Sequence, residues 1–85
     1  MGLSDAAREA QDRAVHAAAR DTGARPEEVE LLSVEPHEWN DTSLGCPQPG
    51  HAYAQVITSG FLVRVRSRGA QRAYHVSGQR VVSCA

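Results

Sequence analysis

The chain has 85 residues, of which 41% are hydrophobic and 22% charged, and its formal net charge is −1. This length fits one domain, and the composition is that of a globular protein, which argues against a disordered chain. No apolar run approaches the roughly 20 residues that a membrane-spanning helix needs, and the first residues lack the pattern of a secretory signal. As the sequence stands we expect a cytoplasmic protein, or an extracytoplasmic one if a leader has been removed.

The charges are unevenly distributed along the chain. All ten acidic residues lie between Asp5 and Asp41, and the segment after Asp41 carries only basic charges, the five arginines at positions 64, 66, 68, 72 and 80. The first half is therefore acidic and the second half basic. A net charge this close to zero argues against strong affinity for nucleic acid at cellular salt.

Residues 1–24 are predicted to form one helix, running from Ser4 to about Thr22. Ser4 is a good N-cap, and Gly23 can adopt the left-handed conformation that ends many helices. Small apolar residues recur at spacings of three and four and give this helix one apolar stripe: Leu3, Ala7, Ala10, Ala14 and Ala17. We expect this stripe to pack closely on a sheet.

Residues 25–38 are predicted to hold a single helical turn at Pro26 and then the first strand, Val29 to Glu35, which Pro36 ends. Residues 39–50 are predicted to form a structured loop.

Residues 51–84 are predicted to form a β-meander with strands at 51–58, 61–68, 71–76 and 80–84. Turns are predicted at Ser59-Gly60, Gly69-Ala70 and Ser77-Gly78, because glycine beside a small or polar residue is typical of tight hairpins. One helix followed by sequential hairpins indicates a single α+β domain. We expect a two-layer sandwich with the helix on an antiparallel sheet of four to five strands, in the order α-β-loop-β-β-β-β.

The loop from Trp39 to Gly50 is built to hold an irregular backbone still. Its acidic and hydroxyl side chains can bond neighbouring amides, its glycines permit positive φ, and its prolines fix φ. Its tryptophan and leucine can pin both arms to the core, and the indole N–H needs a partner. These positions form the candidate binding loop: Trp39, Asp41, Ser43, Leu44, Gly45, Pro47, Pro49 and Gly50.

A rigid exposed loop binds a partner at low entropic cost, so the sequence predicts a non-catalytic domain that binds a protein or peptide through this loop. A protease-inhibitor-like mode is one version of that prediction. A purely structural crossover between strands is the alternative. We expect neither a cofactor nor a metal, and the sequence leaves the oligomeric state open.

The loop motif Trp39-x-Asp41-x-Ser43-Leu44-Gly45-Cys46-Pro47-x-Pro49-Gly50, followed by a terminal Cys84, resembles a group of small uncharacterised bacterial domains. Many members of that group look like secreted proteins or lipoproteins. The resemblance covers roughly Val29 to Cys84 and implies the fold unit without implying an activity.

The two cysteines, Cys46 and Cys84, are predicted to form a disulfide, which would stabilise a small domain by about 3 to 4 kcal/mol. Two free thiols are the alternative, because cytosolic thiols usually stay reduced. Two further alternatives use His51 and His75. Together with both cysteines they could supply a zinc site, or one of them could activate Cys46 as the nucleophile of a thiol-dependent enzyme oriented by Asp41.

The clearest predicted strand alternates valines with arginines and gives a candidate basic face of Arg64, Arg66 and Arg68, with Arg72 on the next strand. Such a face could contact a nucleic acid or an acidic partner. The alternative is a solvated face that is partly neutralised by glutamates of the first half: Glu27, Glu28, Glu30 and Glu35.

Overall fold

The computed structural model describes residues 4–84, so the predicted contribution of Leu3 to the helix stripe lies outside the described residues. Within that range the chain forms helix α1 (Asp5–Thr22), a 3-10 turn (Pro26–Glu28) and four strands: β1 (Glu30–Trp39), β2 (Thr58–Ser67), β3 (Ala70–Ser77) and β4 (Arg80–Val82). The strands form one antiparallel sheet in the order β1-β2-β3-β4. The predicted α+β fold is confirmed, with four strands in the order α-β-β-β-β.

Helix α1 begins and ends where its local sequence predicts. The Ser4 hydroxyl accepts a hydrogen bond from the Ala7 N–H at 3.1 Å, which satisfies one of the free amides of the first turn. Gly23 ends the helix at φ 75°, a conformation that costs glycine little. Six alanines of the helix are buried, at positions 7, 10, 14, 17, 18 and 19.

The core lies between these alanines and one face of the sheet. Val63 and Val65 of β2, together with Tyr74 and Val76 of β3, are at most 1% exposed and pack with the alanines. Side chains alternate between the two faces of a strand, so the residues between them point to the opposite side of the sheet. We call that side the outer face; Leu62 and His75 are paired on it.

The first strand is longer than predicted and continues through Pro36 to Trp39. Pro36 does not end it, because β1 is an edge strand, where a residue without an N–H need not break the ladder. Trp39 is consequently the last residue of β1, paired with Thr58, rather than the first residue of the loop.

The strand predicted at residues 51–58 is wrong. Residues 40–57 are irregular and form one long connection between β1 and β2, so the meander has three strands rather than four. Thr42 and Ala54 bond to each other across this connection, with Thr42 N–H donating to Ala54 O at 3.1 Å and Ala54 N–H donating to Thr42 Oγ1 at 3.0 Å. Hydrogen bonds within the loop thus take the place of the strand-to-strand hydrogen bonds that a sheet would provide.

The turn predicted at Ser59-Gly60 is also wrong, because both residues belong to β2. Glycine is needed at position 60 for a different reason: a Cβ there would collide with the Val76 carbonyl oxygen and lie 3.1 Å from Cζ3 of Trp39. The actual turn after β2 is Arg68-Gly69, at φ 53° and 78°. Two successive positive φ values are typical of the two-residue turns that join antiparallel strands.

Candidate functional site

The long connection crosses the outer face of the sheet, on the side opposite helix α1. Trp39 is 8% exposed and stacks on His75, with ring centroids 5.3 Å apart and an interplanar angle of 17°. His37 lies against it at 4.7 Å between centroids. Gly45 covers the indole, since a Cβ at position 45 would lie 3.1 Å from Cδ1 and Nε1 of Trp39.

The inner part of the loop is buried. Ser43 is 3% exposed and Leu44 is fully buried, although Leu44 has φ 55°, which is uncommon for a branched side chain. Asp41 Oδ1 accepts hydrogen bonds from Ser43 N–H at 2.9 Å and from Ser43 Oγ at 2.5 Å. These two bonds to its charged form lower the pKa of Asp41, with the hydroxyl of Ser43 the larger cause. The predicted role of Asp41 and Ser43 in a local turn is confirmed.

His75 fastens this inner part to the sheet. Its Nδ1 lies 2.5 Å from the carbonyl oxygen of Leu44. A carbonyl oxygen can only accept, so Nδ1 carries the hydrogen and the tautomer is set. Arg80 adds a second tie from the start of β4, donating from Nη1 to the carbonyl oxygen of Thr42. Both ties reach backbone carbonyls that have no place in a helix or strand ladder.

The predicted disulfide between Cys46 and Cys84 is confirmed. Their Cα atoms lie 5.5 Å apart across a sequence separation of 38 residues, and Sγ of Cys46 is 3.8 Å from Nδ1 of His75. Cys46 therefore carries no free thiol in this state. His51 lies elsewhere, stacked on Tyr53 with ring centroids 6.4 Å apart. Residues 4–84 contain no group of three or more metal-ligating side chains placed to hold an ion.

The outer part of the loop is exposed but tied at several points. Residues Pro47 to Gly50 are all exposed. The backbone N–H of Gln48 donates to the Tyr53 hydroxyl at 3.1 Å, and the N–H of His51 donates to the carbonyl oxygen of Gln48 at 3.2 Å. Of the candidate binding residues, Pro47, Pro49 and Gly50 thus lie at the surface, whereas Trp39, Ser43 and Leu44 are buried and hold the loop in place. The predicted site therefore consists of an exposed part and a buried support.

Two exposed residues were missed by the sequence analysis. Val56 is 56% exposed and Ile57 is 71% exposed, and they are the large hydrophobic side chains most open to solvent among the described residues. Their signal is an apolar pair directly before β2, which the sequence analysis places inside the predicted strand at residues 51–58. They lie in the irregular segment just ahead of Thr58, where β2 begins.

The predicted basic face is smaller than expected. Arg64 and Arg66 do share the outer face, but each is paired with a glutamate: Arg64 Nη1 lies 2.7 Å from Glu35 Oε1, and Arg66 Nη1 lies 3.2 Å from Glu30 Oε1. Arg68 is not on that strand face; it lies in the turn after β2 and donates to the carbonyl oxygen of Gly23 at 2.7 Å. These contacts favour the partly neutralised face over a basic one.

Arg72 is not on this face at all. It pairs with Val65 across the β2–β3 ladder, which places it on the core side of the sheet. There its Nε donates to the Tyr74 hydroxyl at 2.9 Å, and the hydroxyl donates to Asp21 Oδ2 at 3.0 Å. Burial raises the pKa of Tyr74, the bond from Arg72 lowers it and the bond to Asp21 raises it, with a net upward shift. Arg72 thus joins the sheet to the end of the helix.

The architecture defines a class of small α+β domain in which a helix covers one face of a four-stranded sheet and a disulfide-stapled loop covers part of the other. A family profile described as a domain of unknown function (DUF8738) matches residues 11–84, and the chain belongs to that family. The match includes most of the helix as well as the region from Val29 onward. A search of curated proteins found no match, and neither did a search of solved structures.

No helix within residues 4–84 is both long enough and apolar enough to cross a membrane.

Proposed function

We propose that this domain is a non-catalytic binding module that recognises a protein partner through the exposed part of its long connection. We call this part the loop surface; it comprises Pro47, Gln48, Pro49, His51, Val56 and Ile57. The observation that carries the proposal is the exposure of Val56 and Ile57 on a segment whose backbone is tied down. Exposed large apolar side chains on a rigid support are a recurrent feature of interaction sites.

The chemistry of the connection supports a protein partner over a nucleic acid. From Thr42 to Val63 the chain contains no Asp, Glu, Lys or Arg. The cores of protein interfaces are depleted in charged residues, whereas binding to a phosphate backbone requires clustered Lys or Arg. On the outer face, Arg64 and Arg66 already face carboxylates, and Arg80 donates to the carbonyl oxygen of Thr42. We therefore expect a partner that offers an apolar, largely uncharged patch.

The loop surface is held in place by contacts on both sides. The disulfide and the bond from Gln48 to Tyr53 restrain the proline segment, and the two bonds between Thr42 and Ala54 restrain the segment that leads to Val56. A surface that is ordered before binding loses little conformational entropy on association, which leaves more of the contact free energy for affinity. These contacts are the physical basis of the predicted rigidity.

The test combines capture with a charge placed on the loop surface. The oxidised domain is immobilised, bound proteins from its own source are identified, and each candidate is purified for titration calorimetry. Ile57→Asp should lower the affinity for a true partner at least about tenfold, because the substitution buries a carboxylate in an apolar contact. Gln79→Asp is the matched control, since Gln79 is exposed in the β3–β4 turn and lines a crevice with His16 and Arg20 of helix α1. A partner that binds Ile57→Asp as tightly as the native chain would rule the loop surface out.

A protease-inhibitor-like mode is the concrete version of this proposal that the proline segment supports. The segment 47–50 is exposed and has a staple at Cys46 on one side and the Gln48–Tyr53 bond within it, and inhibitor loops are rigid in the same way. Incubation with a panel of serine and cysteine proteases tests this version. If none is inhibited and none forms a complex, inhibition is refuted and the wider binding proposal is judged by the calorimetry alone.

The disulfide also bears on the compartment. Disulfides persist in oxidising environments and are rare in the cytosol, so we infer an oxidising setting instead of the cytoplasmic one expected from the sequence. Rapid alkylation of cells followed by mass measurement with and without reductant tests this inference. Free Cys46 and Cys84 in the cell would refute it.

A further inference from the structure

The two sulfurs of the disulfide have different surroundings. Cys84 is exposed, whereas Cys46, which is part of the long connection, is half-buried. Cys84 also lines a crevice of about 370 Å³, which Cys46 does not reach, formed with Asp21, Gln71, Arg72, Ala73 and Ser83. A small molecule can therefore approach the bond from the side of Cys84.

The polar atoms next to the two sulfurs carry partial charges of opposite sign. Nδ1 of His75 donates its hydrogen to the carbonyl oxygen of Leu44 at 2.5 Å, and it also lies 3.8 Å from Sγ of Cys46, where the sulfur can share that hydrogen weakly. The carbonyl oxygen of Gly45 lies 3.5 Å from Sγ of Cys84. A donor N–H stabilises negative charge on sulfur, and a carbonyl oxygen opposes it. The surroundings therefore favour Cys46 over Cys84 as the sulfur that takes the electron pair when the bond opens.

We propose that the Cys46–Cys84 bond is a thiol-exchange site at which a small thiol attacks Cys84 and Cys46 leaves as the thiolate. The attacking thiolate forms a new bond to Sγ of Cys84, the bond between the two protein sulfurs breaks, and its electron pair goes to Cys46 beside His75. A second small thiolate then attacks the mixed disulfide at the sulfur of the first and releases Cys84, which takes up a proton. In sum, two small thiolates are oxidised to their disulfide and the protein disulfide gains two electrons, after which Cys84 takes up one proton and Cys46 remains a thiolate.

This assignment agrees with the chemistry of exchange. The rate rises with access to the attacked sulfur and with the stability of the departing thiolate, and here access favours Cys84 while stabilisation favours Cys46. After the first step the small thiol would be bonded to Cys84, and the loop would no longer be cross-linked at Cys46. The inference goes beyond the proposed binding function and does not depend on it.

The first experiment identifies the attacked sulfur in the native chain. The oxidised domain is treated with 2-mercaptoethanol at neutral pH without denaturant, and iodoacetamide traps the freed thiolate before it can close the bond again. Peptide mass mapping should place the mercaptoethanol adduct on Cys84 and the alkyl group on Cys46. Adducts on Cys46, or an equal mixture of both products, would overturn the proposal, and so would reduction that occurs only when the whole domain unfolds.

The second experiment tests His75 as a positioning residue. His75→Ala should slow reduction of the folded domain by about fivefold, the effect expected from losing one weak hydrogen bond to the departing sulfur. His37→Ala is the matched control, because His37 also contacts the Trp39 ring, at 4.7 Å between centroids, and should leave the rate unchanged. Loosening of the fold would speed reduction, so a slower rate cannot come from partial unfolding. An unchanged or faster rate in His75→Ala, with circular dichroism showing a folded chain, would overturn the role of His75.

Discussion

Replacing both cysteines with alanine tests how the Cys46–Cys84 disulfide stabilises this fold. The Cys46→Ala/Cys84→Ala double variant removes the cross-link and leaves no unpaired thiol to complicate the measurement. The chain-entropy relation for a sequence separation of 38 residues gives a loss of about 4 kcal/mol in the free energy of unfolding at 25 °C. Domains of 85 residues have unfolding free energies of roughly 4 to 13 kcal/mol, so the loss is a large fraction of the total.

Urea unfolding of the native chain and the double variant measures this loss with two probes. Trp39 is the single tryptophan and reports on the loop through its fluorescence, while far-ultraviolet circular dichroism reports on helix α1. If the bridge acts mainly by restricting the unfolded chain, the two probes should give the same lowered midpoint. The midpoint of thermal unfolding should fall by roughly 15 to 30 °C.

Two results would refute this reasoning. A loss below about 1 kcal/mol would show that the unfolded chain gains little freedom when the bridge is absent, contrary to the entropy relation. A fluorescence transition at lower urea, with the dichroism midpoint unchanged, would show that the bridge holds only the loop and that helix and sheet are stable without it. In that case the staple would serve the loop surface alone.

Three further predictions concern single positions. Gly60→Ala should destabilise the domain by roughly 3 kcal/mol or more in urea unfolding, because the added Cβ would force β2 and β3 apart. Gly78→Ala should cost only about 1 kcal/mol, because a Cβ there meets open space and only the positive φ of the residue is unfavourable for alanine. Equal losses would contradict the close-approach argument. Tyr74→Phe should cost about 1 to 2 kcal/mol and should remove the loss of stability expected as pH rises above 10, because the unfolded chain then releases the phenolic proton while the raised pKa of Tyr74 keeps the folded side chain neutral. Asp41→Asn should differ from the native chain above about pH 5, and the difference should shrink as pH falls below 3.8 through the lowered pKa of Asp41; a pH-independent difference would contradict the charge-based account.

The helix could be predicted accurately because its limits depend on local contacts. Ser4 and Gly23 act within one turn of their own positions, so the sequence nearby contains the information. The cysteine pairing was equally accessible, since the chain has two cysteines and one possible bridge. Asp41 and Ser43 also formed the predicted turn, because their bonds span two residues.

Errors arose where the outcome depends on which strands become neighbours. The segment 51–57 has the composition of a strand, but it pairs with no strand of the sheet, and composition alone does not determine strand pairing. Gly60 looks like a turn residue, and its actual reason, the carbonyl oxygen of Val76, lies 16 residues away. The error at Arg72 was avoidable: Tyr74 and Val76 alternate along β3 with Ala73 and His75, and a residue two positions before Tyr74 on the same strand must share the face of Tyr74 and Val76.

The outer face of the sheet explains why loop and staple belong together. Helix α1 covers one face, and the other carries Leu62, His75 and Val82 as cross-strand neighbours, with Trp39 stacked on His75. A sheet with apolar side chains on both sides needs a second cover. Here that cover is an irregular segment, which orders at an entropic cost that a helix would partly recover through its own regular hydrogen bonds.

The contacts of this segment offset that cost at several points. His75 and Arg80 bond its inner carbonyls, Gly45 allows it to lie against the indole, and the disulfide restricts the freedom that it would gain on unfolding. A second helix could cover the same face, but it would present a regular surface. An irregular segment held by side chains can instead expose Val56 and Ile57 at fixed positions, and this is the physical reason to look for a partner on this side of the molecule.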